Sequence, residues 1–217
     1  MLKVDFHVHT NYSSDALIPV KSLIKMAKFH SIVPAITDHW SMGAIPEFKK
    51  AKIPFIPGEE LRVVRPDGRF SDLIGYFLNE EIPKGIPFED ALDRIKTQGG
   101  ISCAPHPFDV LRDGIGEPKF LKKVQLIEVF NAHALSRFDE QAEAFAKKEN
   151  KLKTAGSDSH FLYEFGSTYV ELNLTPDELE PKAVLKALKS GKIIGKRSSK
   201  IRRAAHRIGS ALLKPFI

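Results

Sequence analysis

The stretch KVDFHVHTNYSSDA, residues 3–16, runs from an apolar segment into two histidines and an aspartate. His7 and His9 are two positions apart at the end of the apolar segment, and Asp15 follows His9 by six positions. Alternate residues of a β-strand point to the same face, so both imidazoles can bind one metal ion. The stretch predicts a strand that ends in metal ligands. For this pair alone, hydrogen-bonded structural histidines remain an equal alternative.

Similar apolar runs recur along the chain and alternate with helical patterns. The predicted strands are residues 2–6, 33–37, 53–57, 71–77, 100–104, 125–130, 151–155 and 168–172. Apolar residues with a period near 3.6 predict helices at 19–30, 88–98, 139–150 and 176–192. RPDGR, residues 65–69, predicts a hairpin turn. This alternation of strands and helices is typical of an α/β protein with a parallel sheet, open or closed into a barrel.

Polar residues follow several of these predicted strands directly. They are Asp38 and His39, Glu59, His106, and the pair Asp158 and His160. The carboxyl ends of parallel strands meet at one end of such a fold, so these side chains are expected to share a site. Burying charged groups is costly unless they are paired or bound to metal. Imidazole and carboxylate ligands favour Zn, Mn or Fe, and Glu59 could bridge two ions. Isolated His30, His133 and His206 are predicted to be structural.

Length and composition limit the class of protein. A chain of 217 residues with 42% hydrophobic residues is sufficient for one packed domain. No apolar run reaches the roughly 18 residues of a membrane span, and the N-terminal stretch has no export signal. The single cysteine, Cys103, cannot form an internal disulfide. We therefore predict a soluble, cytoplasmic protein without a transmembrane segment.

The basic residues are concentrated at the C-terminal end. No acidic residue follows Glu180, whereas eleven lysines and arginines do. Removing these eleven from the net charge of +6 leaves −5 on residues 1–180. A boundary is placed at Gly195, and residues 198–216 are predicted to form an amphipathic helix. This basic segment either closes the bottom of the barrel as a solvated helix or attracts a polyanion, nucleic acid or anionic lipid.

An ordered set of short motifs resembles the polymerase and histidinol phosphatase (PHP) family of metal-dependent phosphoesterases. The motifs are DFHVHTNYSSD, AITDH, PGEE, LIGYF, APHP, IEVFN and AGSDSH, between residues 5 and 160. The resemblance implies a distorted seven-stranded (β/α) barrel, similar to a TIM barrel. With the boundary at Gly195, residues 1–195 are assigned to this barrel and residues 196–217 to a basic C-terminal helical extension. It also implies two or three divalent ions, Zn, Mn or Fe. The implied ligands are His7, His9, Asp15, His39, Glu59, His106, Asp158 and His160, with Glu59 bridging.

One position departs from the family pattern. Many relatives have a histidine shortly before the LGY element, where this chain has SDLIGYF, residues 71–77. Asp72 is the nearest candidate ligand and would bind through oxygen. A solvated strand residue is the alternative for Asp72, which leaves open whether two or three ions bind.

The resemblance predicts hydrolysis of a phosphomonoester or phosphodiester, nucleotide-like or a small phosphorylated metabolite. Two ions about 3.5–4 Å apart can hold a hydroxide that attacks phosphorus. His39 or His160 would bind a third ion or donate a proton, and Asp38 would orient an imidazole. Arg137, as first choice, and Arg112 are predicted to bind phosphate oxygens, and Trp40 to stack on a base or sugar.

Two other functions remain possible at this stage. One is a nuclease that acts on DNA or RNA ends. The other is a nonhydrolytic RNA-binding or protein-binding subunit that uses the basic C-terminal arm. The number of candidate ligands argues against the second, because a degenerate site would have lost some of these costly groups. The sequence does not fix the oligomeric state.

Overall fold

The computed structural model describes residues 1–199. Most of the predicted helix at 198–216 therefore lies outside the described residues. This described part of the chain contains nine strands: β1 Leu2–Val8, β2 Ile32–Ile36, β3 Ile56–Val64, β4 Phe70–Tyr76, β5 Ile101–Ala104, β6 Leu126–Asn131, β7 Leu152–Gly156, β8 Thr168–Leu172 and β9 Lys192–Gly195. Six helices accompany them: α1 Val20–His30, α2 Ile45–Ala51, α3 Phe88–Thr97, α4 Pro118–Leu121, α5 Ser136–Lys148 and α6 Pro181–Leu188.

The strands form one sheet in the order β7-β6-β5-β4-β3-β2-β1-β8-β9. The sheet curves into a nearly closed barrel because the end of β7 returns to β1. The Asp158 N–H donates to the His7 carbonyl at 2.7 Å, and the His9 N–H donates to the Ser159 carbonyl at 3.2 Å. The predicted α/β barrel is confirmed, with nine strands rather than seven.

The sheet is mixed, so the prediction of a parallel sheet is only partly right. The pairs β1–β2, β2–β3, β5–β6 and β6–β7 are parallel, but β4 is antiparallel to both neighbours. The reason is the confirmed hairpin turn at residues 65–69, in which the Arg65 N–H donates to the Arg69 carbonyl at 2.9 Å. Gly68 has φ +79°, a conformation that favours glycine.

Most predicted elements are present, and the differences have physical causes. The run at 53–57 contributes only its last two residues to β3, which continues to Val64 through its pairing with β4. Helix α2 was missed because seven residues are too few for a periodic signal. Strand β9 was also missed; the helix predicted at 176–192 ends at Leu188, and residues 192–195 pair with β8 instead. Such long-range pairing leaves no local pattern.

The core holds the first ligand strand in place. Phe6, Tyr76 and Cys103, from β1, β4 and β5, belong to one buried cluster. The Tyr76 hydroxyl donates to the Phe6 carbonyl at 2.8 Å, directly before His7. This bond ties β4 to β1 beside the first histidine. Within residues 1–199, no helix has the length and apolarity that crossing a membrane requires.

Candidate metal centre

Eight candidate ligands meet at the carboxyl ends of the parallel strands. Six of them are fully or almost fully buried, and His39 and Asp15 are partly exposed. They come from β1, β3 and the loops that follow β1, β2, β5 and β7. The set is His7, His9, Asp15, His39, Glu60, His106, Asp158 and His160. The structure therefore brings together seven of the eight implied ligands, with Glu60 in place of Glu59.

Four of these residues form the innermost group. The Nε2 atoms of His7 and His9 are 3.1 Å apart. Glu60 Oε2 is 3.3 Å from His7 Nε2 and 3.4 Å from His9 Nε2. Asp158 Oδ1 is 3.5 Å and 3.3 Å from the same two nitrogens. Donor atoms that surround one ion at about 2.0–2.2 Å lie roughly 3–3.6 Å from their neighbours, so these separations fit a shared cation.

Hydrogen bonds fix the tautomer of His9. The Ser13 hydroxyl donates its one hydrogen to Asp38 Oδ1 at 2.9 Å. Ser13 Oγ must therefore accept from His9 Nδ1, 3.1 Å away, and it also accepts from the His39 N–H at 2.9 Å. The proton of His9 is then on Nδ1, and the Nε2 lone pair points into the group. Asp38 thus orients this imidazole through Ser13 and is not itself among the ligands.

A second carboxylate fixes His7. Glu128 Oε1 lies 3.1 Å from His7 Nδ1, and Glu128 Oε2 accepts from the His106 N–H at 2.7 Å and from Asn131 Nδ2 at 2.9 Å. With one proton held at Nδ1, His7 faces His9 with its Nε2 atom. Although burial opposes the charged form, Asp158, Glu60 and Glu128 raise the pKa of His7 well above its usual value. The 3.1 Å separation of the two Nε2 atoms therefore needs a positive charge, either a proton on His7 Nε2 or a metal ion that takes its place. The donor set and its tautomers therefore fit a divalent metal ion.

Two further groups adjoin the first. Glu60 Oε1 is 3.3 Å from His106 Nε2, and Asp72 brings a carboxylate oxygen within 4.8 Å of both residues' ligand atoms. Asp15 Oδ2 lies 3.4 Å from both His39 Nε2 and His160 Nε2. Glu60 belongs both to the group with His7 and His9, through Oε2, and to the group with His106, through Oε1. It is the residue placed to bridge two ions.

The charges of the centre are strongly coupled. Burial would raise the pKa of Glu60, but His7 and His39 hold that pKa well below its usual range. Burial likewise opposes the ionised form of Asp158, and Arg112 and His7 lower its pKa well below normal. Burial would lower the pKa of His39, yet Glu60 and Asp15 raise it to about 10. The carboxylates are thus held ionised by positive neighbours, a role that divalent ions can fill.

Glu59 has a different environment from the one predicted. Its carboxylate is buried and Oε2 accepts from the Ile82 N–H at 3.0 Å. Neighbouring residues of a strand point to opposite faces, so only one of Glu59 and Glu60 can face the histidines. The structure does not bring Glu59 to the centre, and Glu60 lies where the bridging ligand was predicted.

The position of Glu59 predicts a pH effect on stability. Burial raises its pKa from 4.5 to about 8. The stabilisation that accompanies its protonation is complete below about pH 4.5 and is lost as the pH rises through about 8. Glu59→Gln lacks this titration. We expect the unfolding free energy of the variant minus that of the wild type to rise by a few kcal/mol from about pH 5 to 8. Urea unfolding at each pH measures it; a difference independent of pH would contradict the prediction.

The predicted substrate-binding residues have different positions. Arg112 joins the centre, where its guanidinium contacts Asp158 Oδ2 and donates to Asn131 Oδ1 at 3.2 Å. Arg137 is exposed on the first turn of α5, with its guanidinium 4.7 Å from the ring centroid of Phe138. Trp40 is half-buried, with its ring 5.5 Å from that of His39. Arg112, rather than the first choice Arg137, therefore contacts a candidate ligand.

Several residues that hold the ligands were not predicted from the sequence. They are Ser13, Glu60, Glu128 and Asn131. Glu128 and Asn131 lie within the quoted motif IEVFN but are three positions apart, so regular strand alternation would put them on opposite faces. The pairing irregularity between Glu128 and Phe130 allows both to reach the centre, and no local signal shows it. Ser13 lies in the quoted YSSD, but nothing local shows that its hydroxyl bonds to Asp38. Of the isolated histidines, His133 Nε2 lies 3.4 Å from Glu164 Oε1, His30 is exposed, and His206 lies beyond residue 199.

Two family models, both of PHP proteins, match parts of this chain. The family model described as the PHP domain matches residues 5–71, and the model described as PHP-associated matches residues 137–193. The uncharacterized protein MJ0417 of Methanocaldococcus jannaschii is 40% identical over 201 residues, which covers 87% of this chain and 79% of that protein.

Solved structures share the fold at lower identity. A two-domain protein from Bacteroides vulgatus, described as containing a predicted PHP-like metal-dependent phosphoesterase, has a TM-score of 0.68 at 20% identity. The match covers 89% of this chain but only 64% of that one. PsfC from Pseudomonas syringae has a TM-score of 0.65 at 17% identity, over 99% of this chain and 98% of that one.

Proposed function

This chain belongs to the PHP family, and from that premise we propose that it is a metal-dependent phosphoesterase that hydrolyses a phosphomonoester or phosphodiester. The observation that carries the proposal is the shared Glu60 carboxylate, which faces His7, His9 and His39 with Oε2 and His106 with Oε1. Such a carboxylate places two ligand groups side by side, as a two-ion phosphoesterase requires. When bound, two ions, Zn, Mn or Fe, would activate water and neutralise phosphate oxygens.

The residues of the first two groups would hold these ions and set their positions. His7, His9, Glu60 and Asp158 would bind one ion, and Glu60, Asp72 and His106 the other. Because the donors come from β1, β3, β4 and the loops after β5 and β7, the barrel fixes their separation. This rigidity favours the positioning on which phosphoryl transfer depends.

Asp15, His39 and His160 would have one of two roles. They can bind a third ion, since the three ligand atoms lie close together. Without that ion, His39 or His160 would give a proton to the leaving oxygen, and Asp15 would hold both imidazoles in place. Arg112 is the candidate for a phosphate contact, because Asp158 and Asn131 already orient its guanidinium towards the centre.

Glu128 provides a test of how the ligands are oriented. Glutamine at this position would direct an amide N–H towards a donor, either His7 Nδ1–H or the His106 N–H, and would lose that hydrogen bond. We expect Glu128→Gln to reduce phosphoesterase activity or metal affinity by roughly 10–100-fold. The matched control is Glu143→Gln on α5, whose carboxylate pairs with Lys153 at 2.8 Å on the outer surface. Equal activities of the two variants would contradict the assigned role.

The proposed function itself is tested with the Mn-loaded protein. Hydrolysis of p-nitrophenyl phosphate and of its bis ester is measured, with the His7→Ala/His9→Ala double variant as control. We expect activity on at least one ester that is lost in the double variant. Full activity in the double variant would assign the hydrolysis to another centre, and inactivity on both esters with no metal by elemental analysis would reject the proposal.

A further inference from the structure

Large apolar side chains are exposed around the mouth of the barrel. Within residues 1–199, eight large hydrophobic residues are exposed, and five of them lie in loops that follow β1, β5 and β7. The five, called the apolar rim below, are Tyr12, Leu17, Val110, Leu111 and Tyr163, with exposed fractions of 43%, 70%, 67%, 65% and 57%. Loops after parallel strands lie at the same end of a barrel, so the rim surrounds the metal centre.

Contacts tie each part of the rim to the centre. The Leu17 N–H donates to the carbonyl of His160 at 2.8 Å. Leu111 directly precedes Arg112, which contacts Asp158. The Tyr163 ring stacks on Phe161, the neighbour of His160, with centroids 5.7 Å apart. The rim is therefore held by the loops that carry the ligands. Exposed apolar groups concentrated on one face indicate an interaction surface.

The basic C-terminal segment leaves the body at this same end. The Ser198 N–H donates to the Ala132 carbonyl at 2.9 Å, and Ala132 follows Asn131 at the end of β6. Arg197 Nη1 donates to the Ala134 carbonyl at 3.0 Å and pairs with Asp139 at 2.7 Å. The basic segment therefore begins at the mouth of the barrel. Its sequence then supplies five further lysines and arginines, Lys200, Arg202, Arg203, Arg207 and Lys214, without one acidic residue.

We propose that the mouth of the barrel docks on an anionic lipid surface, with the apolar rim against the lipid and the positive charge of the sequence from residue 196 onward as the attraction for anionic headgroups. A nucleic acid explains these features less well, because Leu17, Val110 and Leu111 have no ring on which a base could stack. Aliphatic and aromatic groups inserted beside a basic segment are typical of peripheral membrane binding. The cations also offset the net −5 of residues 1–180, which would otherwise repel such a surface.

Binding of the metal-loaded full chain to vesicles tests the proposal. We expect it to sediment with phosphatidylcholine vesicles that contain about a third phosphatidylglycerol, but not with phosphatidylcholine alone, and to dissociate as salt is raised. Leu17→Glu/Leu111→Glu should weaken the partition coefficient at least about tenfold. Arg202→Gln/Arg203→Gln/Arg207→Gln should weaken it roughly 100-fold and flatten its salt dependence.

The matched control is Phe29→Glu. Phe29 is 81% exposed near the end of α1, just before β2 begins, and so lies at the opposite end of the barrel. This variant should bind vesicles like the wild type.

Equal losses of vesicle binding in Phe29→Glu and Leu17→Glu/Leu111→Glu would overturn the proposal. Absence of binding to anionic vesicles at low salt would also overturn it. So would an oligonucleotide of about 20 nucleotides that binds more tightly than the vesicles and is insensitive to Leu17→Glu/Leu111→Glu. Vesicle binding needs no turnover, so inactivity on both p-nitrophenyl esters would reject the phosphoesterase proposal alone.

Discussion

Glu60→Gln is expected to reduce kcat/KM for phosphoester hydrolysis by on the order of 10³-fold or more. Glu60 contributes to both inner ligand groups, with its oxygens 3.2–3.4 Å from four imidazole nitrogens. An amide keeps the size of this side chain but removes its charge and turns one oxygen into a hydrogen-bond donor. Two ions would then have no common anionic ligand. Activity on the bis ester and metal content by elemental analysis measure the effect.

The neighbouring residue supplies the control. Glu59→Gln is the same chemical change one position away, and the amide oxygen can still accept from the Ile82 N–H. This variant should retain its metal content and activity within about threefold, as expected for a site that touches no ligand. The reverse result, with Glu59→Gln inactive and Glu60→Gln active, would show that the register of β3 is wrong and restore Glu59 as the ligand.

Removal of metal by a chelator is expected to abolish hydrolysis and to lower the thermal stability. The ligands come from strands and loops far apart in the sequence and meet only in the folded barrel, so the ions bind the folded state preferentially. Ligand at 100 times its dissociation constant stabilises a fold by about 2.7 kcal/mol. For a chain of this length, that corresponds to a fall in Tm of roughly 5–11 °C after chelation.

Differential scanning fluorimetry before and after chelation measures this shift, and added Mn should restore both Tm and activity. The His7→Ala/His9→Ala variant serves as the reference, because its Tm should respond much less to chelator. Unchanged Tm and full activity in protein shown by elemental analysis to be free of metal would contradict the prediction.

The sequence predicts the α/β fold and most of the centre because both rest on local signals, whereas the closed barrel was implied by the family resemblance. Apolar runs of strand length and the polar residues directly after them place His7, His9, His106 and Asp158 at one end without any knowledge of pairing. Glu60 could not be chosen over Glu59 in this way. Pro57 and Gly58 interrupt the alternation, and the side of the sheet that each carboxylate faces depends on the pairing of Glu59 with Gly75 and of Glu60 with Ile74. That register is set by the hairpin with β4.

The arginines illustrate a second limit. Arg112 and Arg137 have equivalent sequence contexts, since each follows a predicted strand by several residues. Only the folded loop after β5 brings Arg112 to Asp158 and Asn131, whereas the start of α5 leaves Arg137 exposed. Similarly, the charge of the C-terminal segment is evident in the sequence, but its departure from the mouth depends on the bonds of Arg197 and Ser198 to the loop after β6.

The return of β7 to β1 has a consequence for the order of events during protein synthesis. His7 and His9 leave the ribosome about 150 positions before Asp158, which completes their donor group. A nascent chain therefore exposes two imidazoles that can capture an ion only weakly. Tight metal binding must wait until Asp158 has emerged and the end of β7 has joined β1.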